Sequence, residues 1–101
     1  MIESVKIDST VYTIKTTDEP IIVEHRECMG CIDYQQSSID LMKGMGLQQT
    51  KKTLLHEIVH GIMYERGLID DMDLERVTDE MAKGFLNLLQ DNPKLVKYLL
   101  N

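Results

Sequence analysis

The chain has 101 residues, 43% of them hydrophobic and 28% charged, a globular balance rather than that of a disordered chain, and a length that suits one small core and excludes a catalytic domain plus a separate specificity domain. Its formal net charge of -6 sets up a field that repels phosphate backbones and anionic lipid surfaces, so neither nucleic acid nor membrane is an expected partner. No apolar run is long enough to span a bilayer, the start MIESVKIDST lacks the order of a signal peptide, and two cysteines are too few for a disulfide framework, which together point to the cytoplasm.

Short β-branched runs open the chain: SVKI at 4–7, VYTIK at 11–15 and IIV at 21–23, separated by DST and TTDEP, where Asp and Pro favour turns. They predict strands of a small sheet. CIDY at 31–34 and SIDLM at 38–42 alternate apolar with polar residues around Gln35, Gln36 and Ser37, the pattern of a hairpin. Before them, HRECMGC sets His25, Cys28 and Cys31 at three-residue intervals. That is part of a structural zinc site with nothing nearby to complete it, and a glycine turn flanked by two half-buried thiols accounts for it better. KGMG at 43–46 then breaks regular structure.

From about Thr50 the period becomes helical: Leu54, Leu55, Ile58, Val59, Ile62 and Met63 recur at spacings of three and four, and Gly67 can end the helix in the left-handed region. A second helix is expected from about Asp71 to Gln90 along Leu74, Val77, Met81, Phe85 and Leu88, with Asp71 and Asp73 at its positive end. DNP at 91–93 stops it and KLVKYLL forms a short last helix. The whole is one α+β domain over 1–101, mainly β over 1–42 and mainly α over 50–101.

The first helix carries TLLHEIVH at 53–60. Residues four apart on a helix lie one above the other, so the Cβ atoms of His56 and His60 fall about 5–6 Å apart and both imidazoles can reach one zinc ion. Glu57 projects beside the pair, where a carboxylate can take a proton from an activated water without occupying a coordination position. On the helical wheel the histidines lie nearly opposite Leu55, Ile58 and Ile62, so the helix has a core face and a ligand face. A catalytic zinc takes three protein ligands, and the candidates for the third are Asp79, Glu80, Glu75 and His25. Asp79 shares a flank of the second helix with Ala82 and Leu86, read as the drier one, whereas Glu80 shares its flank with Glu75, Gly84 and Asn87; this favours Asp79, with Glu80 as the alternative.

The order GCIDYQQSSIDL, TLLHEIVHGI, DEMAKGFLNLLQDNP, over roughly 28–93, resembles the ImmA/IrrE-type zinc metallopeptidases of phages and mobile elements in a minimal form. The resemblance implies a zincin-like fold: a small twisted N-terminal sheet, an active-site helix, a second helix that donates a carboxylate ligand, and a short C-terminal helix. It implies Zn2+ held by His56, His60 and Asp79, three residues before Ala82 and six before Phe85, with Asp where the family's pattern has Glu. It implies Glu57 as general base, a peptide or protein substrate such as a repressor-like regulator, and an edge strand at SIDLM that binds the substrate in extended form. Tyr34 or Tyr64 is available to stabilise the oxyanion. The rival expectation is a zincin-fold binding module with little or no catalytic activity.

Overall fold

The computed structural model describes residues 2–68, 70 and 73–101, and of 74, 75 and 78 the backbone alone. Six strands come first: β1 (Ser4–Ile7), β2 (Thr10–Thr17), β3 (Ile21–Val23), β4 (Arg26–Cys28), β5 (Gly30–Asp33) and β6 (Ser38–Met42). Three helices follow: α1 (Leu47–Glu65), α2 (Leu74–Asp91) and α3 (Pro93–Leu100). The order is α+β, an N-terminal mixed sheet and then helices.

Four strands form one sheet in the order β1-β2-β6-β5, with β2 and β6 parallel and the outer pairs antiparallel. The alternation read from the sequence decides which face is covered. Val5, Ile7, Tyr12, Ile14, Ile39 and Leu41 point to one side and are buried, and the register places Ile14, Ile39 and Ile32 in one row across three strands. Leu54, Ile58 and Ile62 of α1, with Leu88 and Leu95 from α2 and α3, pack on that face and complete the core.

Two expectations need correcting here. IIV is a strand but not a member of this sheet: β3 pairs only with β4 in a separate two-stranded ribbon, and β4, a polar three-residue strand with no alternation, was not foreseen. SIDLM is not an edge. β6 is flanked by β2 and β5, because Ser38, Ile39 and Leu41 are buried and a strand so covered belongs inside the sheet; the edge next to α1 is β5.

The opposite edge, β1, is closed by a side chain. Asn92, between α2 and α3, accepts from the Lys6 N–H at 2.8 Å through Oδ1 and donates through Nδ2 to the Lys6 carbonyl at 2.7 Å, satisfying the groups a neighbouring strand would meet. Among the described residues, β5 is then the edge of the four-stranded sheet that borders the helix carrying the histidines.

α1 begins at Leu47, three residues before the periodic signal, since Leu47 is exposed and Gly46 offers no capping side chain. It ends as expected at Gly67, with φ 67°: the Gly67 N–H donates to the Tyr64 carbonyl and the Leu68 N–H to the Met63 carbonyl, and Leu68 is buried. The expected start of the second helix at Asp71 lies outside the described residues. Asp73 caps the helix that is seen, its Oδ1 accepting from the Arg76 N–H at 3.2 Å. Among the described residues no helix is long and apolar enough to cross a membrane.

Candidate metal centre

α1 has the two faces its sequence predicts. Leu54, Ile58 and Ile62 are fully buried while His56 and His60 are exposed on the other side, and Leu55, expected on the core face, is only half-buried. The imidazoles converge: Nε2 of His56 and Nε2 of His60 are 3.2 Å apart, with the rings edge-on at 78°. A tetrahedral zinc with bonds of about 2.0–2.1 Å keeps its ligand atoms about 3.3–3.4 Å from one another. The pair therefore sits at the spacing of two ligands around one cation.

Glu57 lies on the border between the two faces and is only 7% exposed. It makes no hydrogen bond or ion pair with any described residue, and since no fully buried side-chain oxygen lacks a partner, its carboxylate opens on the cleft beside the histidines. Burial pushes the Glu57 carboxyl above the usual carboxylate range, while the charges of His56 and His60 pull the other way.

The cleft runs between α1 and the β5 edge. Its larger compartment, about 770 Å³, is bordered by His56, Glu57 and His60 on the helix and by Cys31, Asp33 and Tyr34 on the strand and the turn beyond it. A smaller one of about 500 Å³ continues past Cys28 and Gly30 toward Gln49 and Lys52. β5 approaches the helix this closely because position 30 is glycine: a Cβ there would lie 2.8 Å from Thr53 Cγ2. Cys28 on β4 and Cys31 on β5 are free thiols bordering the cleft, and Cys31 is pushed up in pKa by burial and then by Asp40 and Glu57. Sequence reading saw these thiols but had no periodic signal to place them in the cleft.

The α2 carboxylates lie elsewhere. Asp79 has a side chain 66% exposed and pairs with Lys83 at 3.0 Å. Glu80 accepts from Arg66 Nη1 at 2.9 Å, while Arg66 also holds Asp8 through Nε at 3.1 Å and Nη2 at 2.8 Å, and Asn87 Nδ2 donates to Asp8 at 3.1 Å. The reading of the α2 flanks is reversed by these contacts. Ala82 and Leu86 share the solvent side with Asp79, and the flank of Glu80, Gly84 and Asn87 is the one packed on α1, because α1 crosses at Gly84 and brings Ile62 and Arg66 against it. His25 is exposed in the β3–β4 turn, at φ 66°, and does not border the cleft; the side chain of Glu75 lies outside the described residues. Among the described residues no three His, Cys, Asp or Glu side chains are grouped to hold a metal, so His56 and His60 are brought together and a third ligand is not.

Tyr34 and Tyr64 stack beside the cleft, with centroids 4.1 Å apart and planes within 2°. The one sequence signal for this pair was Tyr64 standing four residues after His60. No family model, curated protein or solved structure matches the chain.

Proposed function

We propose that the protein is a zinc-dependent metallopeptidase of zincin type that hydrolyses peptide bonds in peptides or in a regulatory protein. The observation that carries the reading is the pair of imidazole nitrogens 3.2 Å apart beside Glu57, a residue 7% exposed whose carboxylate opens on the same cleft and has no partner among the described residues. A carboxylate beside two converging imidazoles, uncommitted to other side chains and open to a cleft, is placed to exchange a proton with a water there. His56 and His60 would hold the ion. Zinc held there would supply Lewis acidity to a bound water and to the scissile carbonyl.

Glu57 accepts the proton of the attacking water as its oxygen bonds to the carbonyl carbon, and then delivers that proton to the amine nitrogen as the C–N bond breaks. β5, whose outer edge has no ladder partner among the described residues, lines the cleft and offers main-chain groups to an extended substrate. Neither α2 carboxylate lies beside the histidines in this structure, so ligation by Asp79 would require α2 to shift; its surface ion pair with Lys83 is worth little and would not hold it back, whereas Glu80 is engaged with Arg66. The cytoplasm suits free Cys28 and Cys31, which stay reduced there.

The reading is tested by Glu57→Gln. The variant keeps the zinc stoichiometry of the wild type and loses hydrolysis of a quenched-fluorescence peptide library; turnover equal to wild type removes Glu57 as the base. A second reading, a zincin-fold binding module, is favoured by one observation, the absence of a third ligand beside the histidines among the described residues. It predicts a protein without turnover even when zinc is supplied.

A further inference from the structure

Two tyrosines that the reaction does not yet use lie against the centre. Tyr64 follows His60 by four residues, as His60 follows His56, so the three side chains make one row along α1. Tyr34 lies flat on Tyr64 with centroids 4.1 Å apart, and it borders the same compartment as His56, Glu57 and His60. The turn that carries Tyr34 is itself pinned, since Asp33 Oδ1 accepts from the N–H groups of Gln35 and Gln36, both at 3.0 Å. Tyr34 is half-buried, and such phenols ordinarily find a hydrogen-bond partner, yet its hydroxyl bonds to no described residue; Tyr64 is exposed. A ring fixed by stacking and by its turn, bordering the cleft with its hydroxyl uncommitted among the described residues, has the character of a preorganised donor.

We propose that Tyr34 is a further catalytic residue, its phenol O–H donating a hydrogen bond to the carbonyl oxygen as that oxygen gains negative charge, and that Tyr64 is a positioning residue which holds the Tyr34 ring. The proposal rests on the peptidase reading. The phenol keeps its proton throughout: the electrons of the C=O bond move to oxygen as water adds, the hydrogen bond strengthens, and the electrons return when the amine leaves. Burial and the neighbouring Glu57 charge hold the Tyr34 hydroxyl above the ordinary phenol range, which keeps the donor proton in place. An oxyanion donor acts mainly on the transition state, so its loss lowers kcat and leaves KM in place.

The test compares zinc-loaded wild type with Tyr34→Phe, Tyr64→Phe and Tyr64→Ala on the best-cleaved library peptide, and measures binding of a phosphinic analogue of that peptide by calorimetry. Tyr34→Phe keeps the stack and removes only the hydroxyl; the expected loss is about 100-fold in kcat, with a matching loss in phosphinate affinity and none in affinity for the uncleaved peptide on a Glu57→Gln background. Tyr64→Phe retains the ring and stays within about threefold of wild type, whereas Tyr64→Ala falls by about 10-fold or more in kcat at unchanged zinc content. Tyr34→Phe with wild-type kcat and phosphinate affinity overturns the proposal, as does a rise in KM alone, which would make Tyr34 a wall of the binding cleft. If the wild type cleaves nothing, the peptidase reading falls and takes this role with it; if it cleaves and Tyr34→Phe cleaves equally well, only this role falls.

Discussion

Replacing Gly84 by alanine tests how closely α2 is seated on the helix that carries the histidines. A Cβ at position 84 would lie 2.5 Å from Ile62 Cγ2 and 3.1 Å from Arg66 Nε. Carbon atoms settle at about 3.5–4.0 Å, so α2 must withdraw by roughly 1 Å or Ile62 must turn. Ile62 is fully buried, and a β-branched residue in a helix has one strongly preferred χ1, so the strain falls on the helix packing. Overpacking of this kind costs about 1–3 kcal/mol, and the helix propensity of alanine over glycine returns about 1 kcal/mol. With so stiff a neighbour the cost lies in the upper part of its range, leaving a net loss of about 1–2 kcal/mol, or roughly 4–16 °C in Tm for a domain of this size. Gly61→Ala is the internal control. There the nearest atoms are the Cδ1 ends of Ile7 at 2.7 Å and Ile32 at 3.2 Å, which can swing about χ2, and the expected change is under about 1 kcal/mol in either direction. Urea denaturation of the three proteins, fitted with a common m-value, measures both. A Gly84→Ala variant as stable as wild type would mean that α2 does not cross α1 at Gly84, and the assignment of Glu80 to the packed flank would fall with it.

The two α2 carboxylates separate by different assays. Asp79→Asn lowers zinc affinity in chelator competition and leaves the apo-protein's urea midpoint nearly unchanged; unchanged zinc affinity rejects Asp79 as a ligand. Glu80→Gln does the reverse, weakening the fold while zinc affinity holds, because it breaks the contact to Arg66. Hydrogen bonds from Arg66 and then Lys83 hold the Glu80 carboxyl below its usual range, so its contribution is present above the unfolded carboxylate pKa and is lost as pH falls through the folded one. Wild type and Glu80→Gln therefore converge in stability in acid, and a gap that stays constant from neutral pH downward would contradict this. Tyr12, fully buried, donates to Glu65 Oε2 at 3.0 Å, and Tyr12→Phe should cost about 1–2 kcal/mol by denaturation. Burial, followed by that hydrogen bond and the Glu65 charge, raises the Tyr12 hydroxyl's pKa, so the folded state keeps its proton where the unfolded chain loses it. Stability from Tyr12 is complete below the ordinary phenol pKa of about 10 and declines as pH rises beyond it, a decline that Tyr12→Phe should lack.

Local signals were readable. Periods of two and 3.6 located five strands and all three helices, Gly67 marked a helix end, and the spacing of His56 and His60 foretold rings that converge on one point. What failed depended on partners distant in sequence. Nothing in SIDLM announces that it lies parallel to β2, between that strand and β5; the pairing is decided by which faces the helices cover. The α2 wheel separated Asp79 from Glu80 correctly but could not say which flank met α1. Gly84 was the unused clue, since a glycine inside a helix often marks a close approach of another element.

The β3–β4 ribbon stands apart from the four-stranded sheet, yet Val23, Glu24 and Cys28 border the cleft. Residues 22–27 are all exposed, Ile21 is the one buried residue of the ribbon, and its ladder is three residues long on each side. Its amides should exchange with deuterium far sooner than those of β2 or β6, since opening it uncovers almost no apolar surface. On the peptidase reading proposed above, this ribbon would be a cheaply displaced jamb beside the histidines, able to swing aside for a guest's strand while the four-stranded sheet stays paired.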